Sequence, residues 1–119
     1  MEITILKNKF VLKDKNKNIG YLKFQYPDDS SGKRNIGMNY IFIKPEYRRQ
    51  GLAKKILAFA LSYFKKNGIV WISFWTGKEI EQNKAYSLYE KVGFEEFAYQ
   101  KDYYEKGVGV RLFVKRLNK

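Results

Sequence analysis

Apolar and polar residues alternate along the first third of the chain, and then the period changes. The stretches KFVLK (residues 9–13) and IGYLKFQY (residues 19–26) read as strands, and the polar DKNKN between them reads as a hairpin turn. A second loop, PDDSSGKRN over residues 27–35, is the most polar and is expected to be the most mobile. It leads into a third strand, IGMNYIFIK, which Pro45 stops. From Gly51 onward Ala53, Ile56, Leu57, Ala60, Leu61 and Phe64 recur three or four apart, which predicts the buried face of an α-helix. Lys65 and Lys66 suit the C-terminal end of that helix's dipole, and Gly68 ends it. The run IVWISFW, residues 69–75, predicts a strand buried on both faces at the centre of a sheet. A second helix turns Ala85, Leu88, Tyr89 and Val92 inward and stops at Gly93-Phe94, and two final strands fold about Lys106-Gly107.

The predicted order is βββ-α-β-α-ββ. Strand, helix and strand with short connections make a right-handed crossover, so the strands flanking the first helix run parallel within a mostly antiparallel, mixed sheet. The fold class is α+β, and residues 1–119 are expected to form a single domain. Trp71 and Trp75 share one side of their strand, which predicts core packing or, alternatively, an aromatic wall of a pocket.

Composition narrows the chemistry. Apolar residues make up 45% of the chain, too many for a disordered one. It contains neither cysteine nor histidine, which excludes thiolate nucleophiles, disulfides, histidine triads and most zinc sites. No metal is expected, and protons are left to carboxylates, tyrosines, lysines and water. A cytoplasmic location is the default for a cysteine-free chain. MEITILKNKF has no long apolar run and no small-residue cleavage site, so no signal peptide is expected, and no stretch suits a membrane. The net charge of +12 fits a solvated lysine-rich surface, an anionic small ligand or a nucleic acid.

One stretch sharpens that choice. PEYRRQGLAKKIL, residues 45–57, places Arg48, Arg49, Gln50 and Gly51 directly before the first helix. A helix start exposes several backbone N–H groups and the positive end of the dipole, which together bind anions. Gly51, without a Cβ, allows close approach, and Ala53 keeps the next inward position small. The bland alternative is a helix start on a basic protein.

Taken with NKAYSLYEKVGF, residues 83–94, this stretch resembles the GNAT superfamily of acetyl-CoA-dependent N-acyltransferases. Arg48-Arg49-Gln50-Gly51-Leu52-Ala53 matches the pyrophosphate motif Arg/Gln-x-x-Gly-x-Gly/Ala. Asn83, Ala85 (one place early), Leu88, Tyr89, Lys91, Gly93 and Phe94 match the second motif. The resemblance covers residues 36–94. It implies that the strand Ile41-Phe42-Ile43 splays from its neighbour and pairs with the pantetheine arm of the cofactor. The amides of Arg49, Gln50, Gly51, Leu52, Ala53 and Lys54 would hold the pyrophosphate, with Arg48 at the rim. Asn83 would contact the cofactor arm, unless it is simply a helix N-cap. Tyr89 would stand near the sulfur as the acid for the departing thiolate, unless it is a core aromatic with a bonded hydroxyl.

The pattern also departs from the family. Relatives often carry a Glu on the strand before the turn, and here Asn39 lies near that place, able to orient a water but not to accept a proton. Glu79 and Glu81 are the other candidate bases, or plain helix-entry charges. No helical period precedes Gly51, whereas many members have two N-terminal helices over the acceptor site, so a more open acceptor site is expected. The resemblance implies acetyl transfer to a primary amine of a small molecule, peptide or protein by direct attack in a ternary complex, in a monomer or homodimer. The alternative is a non-catalytic CoA-binding or nucleic-acid-binding domain. Nucleic acid is not favoured, because the nearest aromatic-basic stretch, YQKDYYEK, is interrupted by acids.

Overall fold

A computed structural model describes residues 1–26 and 34–117. Its strands are β1 (Glu2–Ile5), β2 (Lys9–Asp14), β3 (Lys17–Gln25), β4 (Asn35–Ile43), β5 (Trp71–Trp75), β6 (Glu95–Glu105) and β7 (Val108–Arg116). Its helices are α1 (Leu52–Lys66), α2 (Lys78–Asn83) and α3 (Ser87–Lys91), with a 3₁₀ turn at Pro45–Tyr47. One seven-stranded sheet runs in the order β1-β2-β3-β4-β5-β7-β6. Every neighbouring pair is antiparallel except β4 and β5. The α+β class and the parallel crossover are therefore as expected. Residues 27–33 of the loop expected to be mobile lie outside the described residues.

Both expected hairpins form with two-residue turns. Asp14 pairs with Lys17 around Lys15-Asn16, whose φ values of 50° and 70° suit a primed turn, and Glu105 pairs with Val108 around Lys106-Gly107. The hairpin β2–β3 then packs flat against β4, where Gly20 is required. A Cβ there would meet the Phe42 carbonyl oxygen and Ile43 Cδ1 at 2.7 Å.

The helix α1 buries Leu52, Ile56, Leu57, Ala60 and Phe64, while Ala53 and Leu61 pack at the edge of the core. Phe64 sits against Phe10 and Phe24 at centroid distances of 5.4 and 4.9 Å, and burying such a ring contributes about 2–3 kcal/mol. Its C-terminus closes with Ile69 N–H donating to the Phe64 carbonyl.

Four expectations need correction. The four-residue strand β1 at the sheet edge was not anticipated, so four strands precede α1. β5 is buried on one face only: Ile72 and Phe74 enter the core, while Trp71 and Trp75 are 40% and 58% exposed on the other. Core packing of the tryptophans is thereby excluded, because among the described residues no helix covers the opposite face of this part of the sheet. The second helix is broken in two at Lys84 (φ 52°), where Ala85 N–H bonds the Ile80 carbonyl and ends α2. Ala85, predicted to face inward, falls in that break and is exposed.

Candidate functional site

The start of α1 is built to leave amides open. Tyr47 and Arg48 N–H close the 3₁₀ turn on Lys44 and Pro45. Arg49 (φ 64°) and Gly51 (φ 75°) then take left-handed conformations. The first helical N–H to find a backbone acceptor is that of Lys55, on the Gly51 carbonyl at 3.0 Å. Among the described residues, the amides of residues 49–54 have no backbone acceptor. A groove of about 220 Å³ opens beside them, lined by Arg49, Gly51, Lys54 and Leu88 among others. An array of this kind holds a phosphate without a metal. A Cβ on Gly51 meets nothing within 4 Å, so it would stand in open space, and the residue is required for its φ. Gln50 is exposed and lines no part of the groove, and the Leu52 side chain is in the core, so both offer backbone alone. Arg48 turns back: its Nε donates to the Ile43 carbonyl at 2.8 Å and its guanidinium lies 5.7 Å from the Phe42 ring centre.

Beside this groove the sheet opens. β4 and β5 pair only at Asn35↔Trp71, Ile36↔Ile72 and Gly37↔Ser73, and then separate. Lys44 N–H bonds the Ile19 carbonyl on β3, so alternation along the ladder turns the polar groups of Phe42 to β3 and those of Ile41 and Ile43 to the gap. Within the expected pairing strand, the Phe42 carbonyl lies against Gly20 of β3 and Phe42 lines the cleft. Lys23 opposes Tyr40 and Phe24 opposes Met38, which leaves Asn39 as the extra residue of a β-bulge. Bulges re-aim side chains, and this one exposes Asn39 and Tyr40 together at the gap.

The gap widens into a cleft of about 750 Å³ that shares Ile43, Arg48, Ala53 and Leu88 with the groove. Tyr89 is in its wall, 9% exposed and held by the Phe74 and Phe94 rings at 4.3 and 6.1 Å. The Phe94 N–H to Tyr89 carbonyl bond closes α3 and fixes that position. Tyr89 belongs to the core cluster, and its hydroxyl has no hydrogen-bond partner among the described residues. Burial, and then the nearby Tyr40 phenol, push its pKa up to about 12. Asn83 lines the cleft as the last residue of α2 and is not an N-cap. The break after it takes up the one residue missing between Asn83 and Tyr89.

A polar knot lies beside the cleft, and of its members only Glu81 stands out in the sequence. Glu81 is 8% exposed and accepts from Thr76 Oγ1 at 2.6 Å, Tyr86 Oη at 2.9 Å and Arg111 Nη1. Thr76 Oγ1 in turn accepts the Arg111 N–H, and Tyr104 Oη donates to the Thr76 carbonyl. The Glu96 hydrogen bond and the Glu81 charge raise the Arg111 pKa against a downward pull from burial. Burial and the Glu81 bond raise that of Tyr86. Glu81 therefore ties α2 to β5 and β7 and is closed to substrate. Glu79, exposed, is the one carboxylate lining the cleft among the described residues. Trp75, Tyr40 and Tyr104, which no motif marks, make its aromatic mouth.

A family model described as an acetyltransferase (GNAT) domain matches residues 7–96. A ribosomal protein bS18-alanine N-acetyltransferase of Escherichia coli is 31% identical over 64 residues, 54% of this chain and 42% of that protein. This chain spans less than half the length of the curated relatives it matches. The crystal structure of the ribosomal-protein-S18-alanine N-acetyltransferase from Escherichia coli superposes with a TM-score of 0.79 at 20% identity, over 93% of this chain and 69% of that one. An acetyltransferase structure from Salmonella typhimurium, solved with its cofactor acetyl-CoA, superposes with a TM-score of 0.76 at 14% identity, over 93% and 65%. With the family model matched across most of its length and the splayed β4–β5 pair beside an open helix start, the chain belongs to the GNAT family of acetyltransferase domains.

Proposed function

We propose that residues 1–119 form one cytoplasmic domain that transfers an acetyl group from acetyl-CoA to a primary amine. The observation that carries this reading is the continuity of the groove at residues 49–54 with the cleft that holds the unbonded Tyr89 hydroxyl. The donor fits these residues part by part. The amides of residues 49–54 suit a pyrophosphate, the gap-facing groups of Ile41 and Ile43 suit an amide-bearing arm, and Asn83 lies beside that path.

Bound acetyl-CoA would supply the acetyl group as a thioester, already activated towards an amine. The Ile41 N–H, facing the gap, is placed to stabilise negative charge on the acetyl oxygen. Tyr89, protonated at any working pH, would donate to the sulfur as negative charge develops there, and any proton it gives up would be replaced from water so that the phenol is restored. The proton released by the amine leaves through water held near Asn39, since Asn39 accepts no proton itself. Without a cysteine to carry the acetyl group, direct attack in a ternary complex is the simplest course.

For the acceptor we propose a protein or peptide amine. The bacterial relative is named for acting on an alanine of a ribosomal protein. Among the described residues no helix precedes the turn at Pro45–Tyr47, which leaves the aromatic mouth of the cleft accessible. Glu79 supplies the negative charge that draws in an ammonium group. Incubation with acetyl-CoA and a panel of peptide and small amines, with free CoA as the readout, tests this. Thiol release confined to water hydrolysis would contradict it.

A further inference from the structure

The sheet face opposite the helices carries a second feature, which meets the acetyl-transfer cleft at Tyr40, Phe42, Arg48 and Trp75 and extends beyond it. On that face Tyr21 stands opposite Phe42, Lys23 opposite Tyr40, and Trp71 opposite Arg116. Tyr21, Tyr40 and Phe42 form one aromatic cluster with centroids 5.5–6.4 Å apart. Trp71 and Trp75, both substantially exposed, continue it across the opening between β4 and β5. Cations lie over these rings: Lys9 over Tyr21 at 5.8 Å, Arg48 over Phe42 at 5.7 Å and Arg116 over Trp71 at 5.4 Å. The four strands β3, β4, β5 and β7 contain no Asp or Glu at all, although the chain has 12 acidic residues.

We infer that this face is a binding platform for single-stranded nucleic acid. Exposed rings offer stacking surfaces to unpaired bases, and the interleaved cations meet the phosphates. An acidic peptide would satisfy the charges but would leave the aromatic surface without its natural partner, and a duplex keeps its bases away from the rings. The platform goes beyond acetyl transfer, since Lys9, Tyr21, Lys23, Trp71 and Arg116 lie outside the cleft lining. Tyr40 and Trp75 also belong to the mouth of the cleft, so a bound strand would lie beside the acceptor opening.

Both tryptophans of the chain are on this face, so their fluorescence reads the site directly. The test titrates the protein, without acetyl-CoA, with a single-stranded oligouridylate of about ten nucleotides. Stacking predicts quenching with micromolar affinity. Lys9 and Lys23 on the phosphates predict a loss of about sevenfold between 50 and 200 mM salt. Lys23→Glu, an exposed surface change that should leave the fold intact, should weaken binding at least fivefold, and Tyr21→Ala at least as much. The acetyl-CoA affinity of Lys23→Glu should stay unchanged, which separates this site from the transferase site. Absent quenching, equal quenching by a polyglutamate peptide or a duplex, or affinity unchanged in Lys23→Glu would each overturn the inference.

Discussion

Arg48 closes onto Ile43, its Nε 2.8 Å from the carbonyl oxygen, and thereby joins the rim of the amide groove to the end of the splayed strand. The two halves of the proposed donor site are held in register by one side chain. Replacing Arg48 with methionine removes a charge-assisted hydrogen bond worth about 1.5–3 kcal/mol. Acetyl-CoA affinity should fall roughly ten- to hundredfold, and urea unfolding should show a loss of stability of up to about 1.5–3 kcal/mol from the same bond. Lysine should restore only part of it, since an ammonium lacks the planar fork that reaches Ile43 and still lies over Phe42. Calorimetry on the three proteins measures this.

Tyr89→Phe should lower kcat by roughly a hundredfold and leave KM for acetyl-CoA nearly unchanged, because the hydroxyl acts on charge that develops during transfer. A pKa raised to about 12 keeps the phenol neutral, so no descending limb in kcat should arise from Tyr89 below that pH. The activity should instead rise with pH as the acceptor amine loses its proton.

The same shift has a consequence for stability. A folded pKa above the unfolded value of about 10 means stability that is complete below pH 10 and is lost as pH rises towards 12. The loss attributable to Tyr89 is about 2–3 kcal/mol. The difference in urea-unfolding free energy between the parent protein and Tyr89→Phe, followed from pH 9 to 12, should change by that amount. A constant difference would contradict the assignment.

Neighbouring carboxylates should behave in opposite ways. Glu81→Ala strips a buried acceptor from Thr76, Tyr86 and Arg111 and should cost about 3–5 kcal/mol in urea unfolding. Glu79→Ala should leave stability within about 0.5 kcal/mol and raise KM for a cationic amine severalfold, with acetyl-CoA binding unchanged.

Local pattern carried the expectations that succeeded. The hairpin turns, the stripe of α1 and the parallel crossover each follow from residues close together in the chain, as does the open helix start before Leu52. What escaped depends on partners far apart. EITI is too short to register as a strand until β2 pairs with it. Trp71 and Trp75 look like core residues until the topology leaves their face of the sheet bare. Glu81 reads as a helix-entry charge until Arg111, 30 residues later, meets it. The bulge at Asn39 exists only in the pairing of β3 with β4. The proposed aromatic platform is drawn from several strands, so no single stretch of sequence displays it.

The central claim is that the amides of residues 49–54 receive the pyrophosphate of acetyl-CoA, and calorimetric titration of the parent protein beside Gly51→Val tests it most directly. A β-branched residue cannot hold φ +75° without strain and would place a side chain in the open groove. Micromolar binding that survives raised salt is expected in the parent, with a loss of at least tenfold in Gly51→Val and matching circular dichroism for the two. Equal affinity in the two proteins, or no binding to the parent, would contradict it.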